Sequence, residues 1–225
     1  MNDLNRKAMG KLGSFLPVLA VAVFAVAWTI DYWQAWIFLA VFSAASLAIT
    51  AYLMKHDPKL LERRIYAGPR SEEQTRQQII QVVAFISFFA ILLFPALDHR
   101  FGWSAVPPYV VVAGDALVAF GFLVVFFVFK ENSFASALIE VDAGQRVVST
   151  GPYSVVRHPM YSGALIMLFG IPLALGSWWG LLMVIPITLA IIWRLVEEEK
   201  FLLESLPGYA EYRNKVTYRL APRIW

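Results

Sequence analysis

Two short stretches hold most of the polar chemistry of this chain. The first is Arg157-His158-Pro159-Met160-Tyr161-Ser162-Gly163, which follows a Gly151-Pro152-Tyr153 turn. Gly-Pro is a turn signal, and Pro159 suits a first helical turn, where its missing N–H costs no hydrogen bond. Arg157 and His158 therefore sit at a helix N-terminus, whose free N–H groups and dipole favour an anionic group. The same two residues also suit a topogenic charge and an interfacial polar side chain. The second stretch is Arg194-Leu195-Val196-Glu197-Glu198-Glu199-Lys200. Arg194 and Glu198 are four apart and share a helix face, either as an ion pair at a helix end or as a cation and an acid aimed at one site. Three consecutive acids after an apolar run call for a reason, because charge near a bilayer is expensive. They cannot all face one way, so at least one points to solvent.

Asp115 is a third candidate. An acid inside an apolar run is functional by default, but its place just after Pro107-Pro108 suits an interfacial role equally well. His56 and His99 read as loop residues beside turns, and three scattered His without clustered carboxylates give no metal site. The absence of Cys excludes disulfides, thiolate zinc sites and thiol catalysis.

The elements that must position these residues are membrane helices. Hydrophobic residues make up 59% and charged residues 16% of the 225, against about 45–50% and about 25% in a soluble domain. Six apolar runs approach the roughly 20 residues a membrane helix needs: Phe15 to Ile30, Trp33 to Met54, Ile79 to Leu97, Tyr109 to Phe129, Met160 to Leu175 and Trp178 to Leu195. A signal peptide is the rival reading of the first run, but no clear small-residue cleavage site follows it.

Lys and Arg sort between these runs. The N-terminus carries Arg6, Lys7 and Lys11, and the second loop Lys55, Lys59, Arg63, Arg64, Arg70 and Arg76. The fourth loop carries Lys130, Arg146 and Arg157, and the C-terminal segment Arg194, Lys200, Arg213, Lys215, Arg219 and Arg223. The first, third and fifth loops share only Arg100. Cytoplasmic loops hold the excess of Lys and Arg, so the expectation is an all-α bundle of about six transmembrane helices with both termini in the cytoplasm. The same distribution explains the net charge of +3 without nucleic acid. Asp31-Tyr32 and Gly176-Ser177 read as tight outer turns, with Trp28, Trp33, Trp36, Trp103, Trp178 and Trp179 as an aromatic belt. Residues 1–131 read as N-terminal helices and 132–225 as the catalytic region of a single membrane domain.

Taken together, the two polar stretches resemble the isoprenylcysteine carboxyl methyltransferase family and the wider phospholipid methyltransferase group. The resemblance runs through Gly151-Pro152-Tyr153, Arg157-His158-Pro159-Met160-Tyr161-Ser162-Gly163, Arg194, Glu198-Glu199 with Leu202, and Gly208-Tyr209-Ala210-Glu211-Tyr212. It implies an enzyme using S-adenosylmethionine, held by the C-terminal membrane region and its cytoplasmic loops. By position, Tyr153, His158, Pro159, Met160 and Tyr161 would line the donor, with Gln145, Arg146, Val147 and Val148 also in contact. Glu198 would hold the donor's amino-acid moiety, and Arg194 would position the acceptor.

The implied acceptor is lipophilic, an isoprenylcysteine-like carboxylate entering from the bilayer among the membrane lipids. A carboxylate is already a nucleophile at neutral pH and needs only alignment and a cation such as Arg194. A phospholipid amine would need a base, for which Glu198 or Glu199 is the candidate. An NADPH-dependent sterol-reductase-like enzyme shares a similar Arg-His-x-x-Tyr stretch, and a non-enzymatic membrane protein is the third reading. Glu-Glu-x-x-Leu favours the methyltransferase over both.

Overall fold

The computed structural model describes residues 3–66, 75–135, 141 and 144–225; Arg70 of the second basic loop lies outside them. All regular structure among the described residues is helical. Five helices are long and apolar enough to cross a membrane. They are α1 (Asp3–Ala27), α2 (Trp33–His56), α4 (Thr75–Phe101), α5 (Pro108–Glu131) and α7 (Val184–Ser205), the last extended at its start by a 3-10 turn, Trp179–Met183. Two short helices lie outside the apolar layer, α3 (Pro58–Tyr66) and α8 (Tyr209–Lys215). The sixth apolar run forms α6 (Pro159–Ala174), with 16 residues. At 1.5 Å per residue it is about 24 Å long, shorter than the roughly 30 Å hydrocarbon core. Pro159 sets its start, and the left-handed Gly176 (φ 71°) turns the chain just beyond its end. The architecture is a polytopic helical membrane bundle. Phe85, Ile86, Val112, Phe120, Ile185 and Leu189 are exposed on its sides, a surface suited to lipid and not to water.

α6 is seated against α5 by glycine. A Cβ added at Gly114 would lie 2.3 Å from Ala174 N, and one at Gly121 only 2.6 Å from Gly163 O. Gly163 and Gly170 face back across the same seam, 3.0 Å from Gly121 O and 2.7 Å from Gly114 O by the same construction. Each helix carries its glycines seven apart, on one face. Small residues let membrane helices approach backbone to backbone, where packing and not hydrophobicity drives association. This seam fixes α6, and so the Arg157-to-Gly163 stretch at its start.

The basic segments collect at one end of the bundle. Lys11 Nζ donates to Ile65 O at 2.5 Å, tying the start of α1 to α3. Arg63 Nη1 donates to Ser133 O at 2.8 Å, tying α3 to the connector after α5. At the other end Tyr32 Oη donates to Leu175 O at 2.5 Å and the His99 ring stacks on Tyr32, centroids 3.9 Å apart. Asp98 accepts hydrogen bonds from Ser104 and Ser177 there, and Arg100 stacks on Trp28. His56 and His99 thus belong to the last turns of α2 and α4, not to loops. α1 starts well before Phe15: its polar first turns extend out of the apolar layer to meet α3.

Candidate active site

His158 is the N-cap of α6, with non-helical backbone (φ -123°, ψ 62°), and Arg157 precedes it. Their own N–H groups bond a strap of C-terminal chain: Arg157 N donates to Tyr218 O at 2.9 Å and His158 N to Arg219 O at 3.0 Å. Ser162 Oγ adds a bond to Leu220 O at 2.6 Å. Arg157 does not face solvent as a topogenic charge would. Its Nε lies 2.7 Å from Glu199 Oε1, and its Nη1 donates to Val216 O and Thr217 O at 2.9 and 2.7 Å. The remaining Glu199 oxygen accepts from Arg219 Nε at 2.9 Å, and His158 Nε2 stands 3.2 Å from Oε1. One buried carboxylate thereby ties together the start of α6, the end of α7 and the strap. A charge taken out of water needs such partners, because unpaired it would cost several kcal/mol or neutralise.

The three consecutive acids diverge, as one turn of helix requires. Glu197 pairs with Lys200 at 2.8 Å on the surface. Glu199 turns into the ion cluster. Glu198 points toward α6, where Tyr161 Oη donates to its Oε2 at 2.5 Å. Arg194, one turn earlier on the same face, donates from Nε to the same Tyr161 oxygen at 3.2 Å and from Nη1 to Gln77 Oε1 of α4 at 3.2 Å. Arg194 and Glu198 therefore both engage one phenol.

A cleft of roughly 790 Å³, including solvent at its mouth, opens beside these groups. Gln145, Arg146, Val147 and Val148 line one side, with Tyr153 of the 3-10 turn Gly151–Ser154 next to them. His158, Pro159, Met160 and Tyr161 line another, and Glu198 closes it from α7. All ten residues expected to contact the donor thus border one space. Arg194 does not line it and reaches its edge through Tyr161.

Four lining residues carry signals that sequence reasoning left unassigned. Asn132 donates from Nδ2 to Tyr153 Oη at 2.9 Å. Burial pushes the Tyr153 phenol up to about 12, with that hydrogen bond opposing. Tyr212 Oη donates to Tyr153 O at 2.8 Å, and burial raises its phenol too. Leu206 and Tyr209 complete the wall, and the buried Tyr209 Oη has no partner among the described residues. Gly208-Tyr209 was visible as a motif; the orphaned hydroxyl was not. Asp115 stands apart, buried in α5 with both carboxylate oxygens lacking a partner among the described residues.

The phospholipid methyltransferase family model matches residues 109–207, from the start of α5 to just past α7. That family consists of membrane methyltransferases and includes the isoprenylcysteine carboxyl methyltransferases. No curated protein matches the chain. The matched stretch holds His158, Tyr161, Arg194 and Glu198, every segment of the cleft except the part around Tyr209 and Tyr212, and the α5–α6 glycine seam.

Proposed function

We propose that this chain, whose residues 109–207 place it with the membrane methyltransferases of the phospholipid methyltransferase family, transfers a methyl group from S-adenosylmethionine to the carboxylate of a lipophilic, isoprenylcysteine-like acceptor. The family uses a methyl donor, typically S-adenosylmethionine, and when bound that donor supplies an electrophilic sulfonium methyl.

The chemistry of the cleft fits such a donor. Glu198 offers a carboxylate to an ammonium group, and charge-assisted hydrogen bonds are about twice as strong as neutral ones. Tyr209 Oη offers a buried hydrogen-bonding group that has no partner among the described residues. Val147, Val148 and Met160 offer an apolar wall of the kind that holds most of a small ligand's surface. The Glu199 cluster acts at one remove by fixing His158 and the start of α6.

The observation that carries the carboxylate reading is Tyr161 Oη, held between Arg194 Nε and Glu198 Oε2. It joins a cation suited to an acceptor carboxylate to the acid suited to the donor. Arg194 grips a carboxylate with a planar fork, and a carboxylate needs no proton removed. The second reading, a phospholipid amine acceptor, draws on the family match itself; there Glu198 would have to take up a proton. The donor is polar and the basic end of the bundle is the cytoplasmic end by the positive-inside rule. The site therefore opens to the cytoplasm, and the acceptor enters sideways from the bilayer.

The test is transfer of labelled methyl from S-adenosylmethionine by purified protein in detergent, to N-acetyl-S-farnesylcysteine in one arm and to phosphatidylethanolamine in the other. Label in the farnesylcysteine ester supports the reading. Label only in the phospholipid replaces it with the amine reading.

A further inference from the structure

Among the described residues four tyrosines border the cleft, and the hydroxyls of three are engaged. Tyr161 Oη donates to Glu198 Oε2 at 2.5 Å, Tyr212 Oη donates to Tyr153 O at 2.8 Å, and Tyr153 Oη accepts from Asn132 Nδ2 at 2.9 Å. Tyr209 is the exception. The residue is 4% exposed, and its hydroxyl has no partner among the described residues. Its ring packs with Leu206, Tyr212 and Val216, and Gly208, the left-handed N-cap of α8 (φ 85°), turns the chain after α7 so that this ring reaches the cleft. A buried hydroxyl without a partner is destabilising, and each such group in a folded protein calls for a reason. Burial first, then Glu199 and Glu198, push the phenol's pKa up, with Arg157 opposing. Tyr209 therefore stays an O–H donor, and it lies within the field of the acid suited to the donor's ammonium. An α-amino acid carries its carboxylate on the carbon that bears the ammonium, so a hydrogen-bond donor beside Glu198 is what that carboxylate needs. Of the cations on the wall, Arg157 gives Nε to Glu199 and Nη1 to Val216 O and Thr217 O. Arg146 is exposed, where water weakens any ion pair.

We infer that Tyr209 is a binding residue for the amino-acid end of the methyl donor: its hydroxyl donates to the α-carboxylate while Glu198 takes the ammonium. The start of α8, outside the family match, thus supplies a donor contact of its own. The inference rests on the cleft being the S-adenosylmethionine site and adds to it a residue and the group on the donor that it recognises. It carries a signature of its own. The hydroxyl costs the protein stability without ligand and contributes only when the carboxylate arrives, so deleting it shifts stability and affinity in opposite directions.

The experiment titrates the full chain in detergent with S-adenosylhomocysteine and with S-adenosyl-3-thiopropylamine, which lacks only the carboxylate. Thermal unfolding without ligand is followed on the same samples. The wild type should bind S-adenosylhomocysteine about tenfold tighter or more. Tyr209→Phe should bring the two affinities within about twofold, by weakening S-adenosylhomocysteine and sparing the amine. The same variant should raise the thermal midpoint by about 2–4 °C, because it deletes only an unpaired hydroxyl. Tyr212→Phe, which breaks the bond to Tyr153 O, should lower the midpoint and weaken both ligands alike. A full preference kept by Tyr209→Phe overturns the inference, as does a lowered midpoint or an equal loss of both ligands in that variant. Loss of the preference in Arg146→Gln with Tyr209→Phe unaffected overturns it too and gives the carboxylate to Arg146. A wild type that binds both compounds equally removes the inference and leaves the donor site standing, whereas one that binds neither removes the donor site itself.

Discussion

Arg157 and Glu199 form an ion pair, Nε to Oε1 2.7 Å, with side chains only 4% and 6% exposed. Removing one member of a buried pair leaves the other charge uncompensated, which typically costs about 3–5 kcal/mol. Glu199→Gln should therefore lower the thermal midpoint in detergent sharply and loosen the strap around Arg219. Glu198→Gln, one residue earlier, should leave the midpoint nearly unchanged. Thermal unfolding of the two variants side by side checks the division, and equal midpoints would remove Glu199 from its structural role.

The glycine seam gives a second prediction. Gly121→Leu forces a side chain into a backbone contact, and overpacking of this kind costs about 1–3 kcal/mol or more. It should separate α6 from α5 and abolish donor binding without touching the cleft. Gly13→Leu, where an added Cβ meets nothing within 4 Å, should be silent. Intact donor binding by Gly121→Leu would show that the seam does not hold the site.

How far the sequence anticipated this arrangement depended on the range of the interaction. Apolar runs and the alternation of basic segments are local sums, so the helices and the shared basic end could be read in advance. Arg194 and Glu198 could be paired because helical spacing sets their common face. Glu199 could not be assigned, because its direction is set by Arg157 and Arg219, 42 and 20 residues away. Gly114 and Gly121 look like any glycines in a membrane helix until Gly163 and Gly170 are brought opposite. Arg64 counted as a topogenic charge, and only the fold carries it to Met160, 96 residues on. The short α6 (Pro159–Ala174) agrees with its apolar run, Met160 to Leu175, to one residue at each end, because Pro159 and the Gly176 turn are local signals.

Topology follows from the charge distribution and the joined basic segments. Reporter fusions after Met54 and at Trp225 should both report the cytoplasm, and one after Arg100 the opposite side. Opposite signals at the first two positions would mean an odd number of crossings between them.

Arg194→Lys keeps the charge but loses the planar fork. With a carboxylate acceptor, turnover should fall about tenfold, equivalent to about 1.4 kcal/mol of transition-state positioning. Donor affinity should hold, because Arg194 does not line the cleft and meets its edge through Tyr161. Paired methyl-transfer and donor-binding assays separate the two effects, and equal loss in both would move Arg194 into the donor pocket.

Calorimetric titration of the purified protein with S-adenosylhomocysteine, and separately with NADPH, tests most directly whether the cleft between Val147, His158 and Glu198 is the donor site. The wild type should bind S-adenosylhomocysteine at micromolar levels, on the order of −8 kcal/mol, and should not bind NADPH. His158→Ala and Glu198→Gln should each weaken that binding at least about tenfold, roughly 1.4 kcal/mol. NADPH binding in its place, or unchanged affinity in both folded variants, would contradict the account.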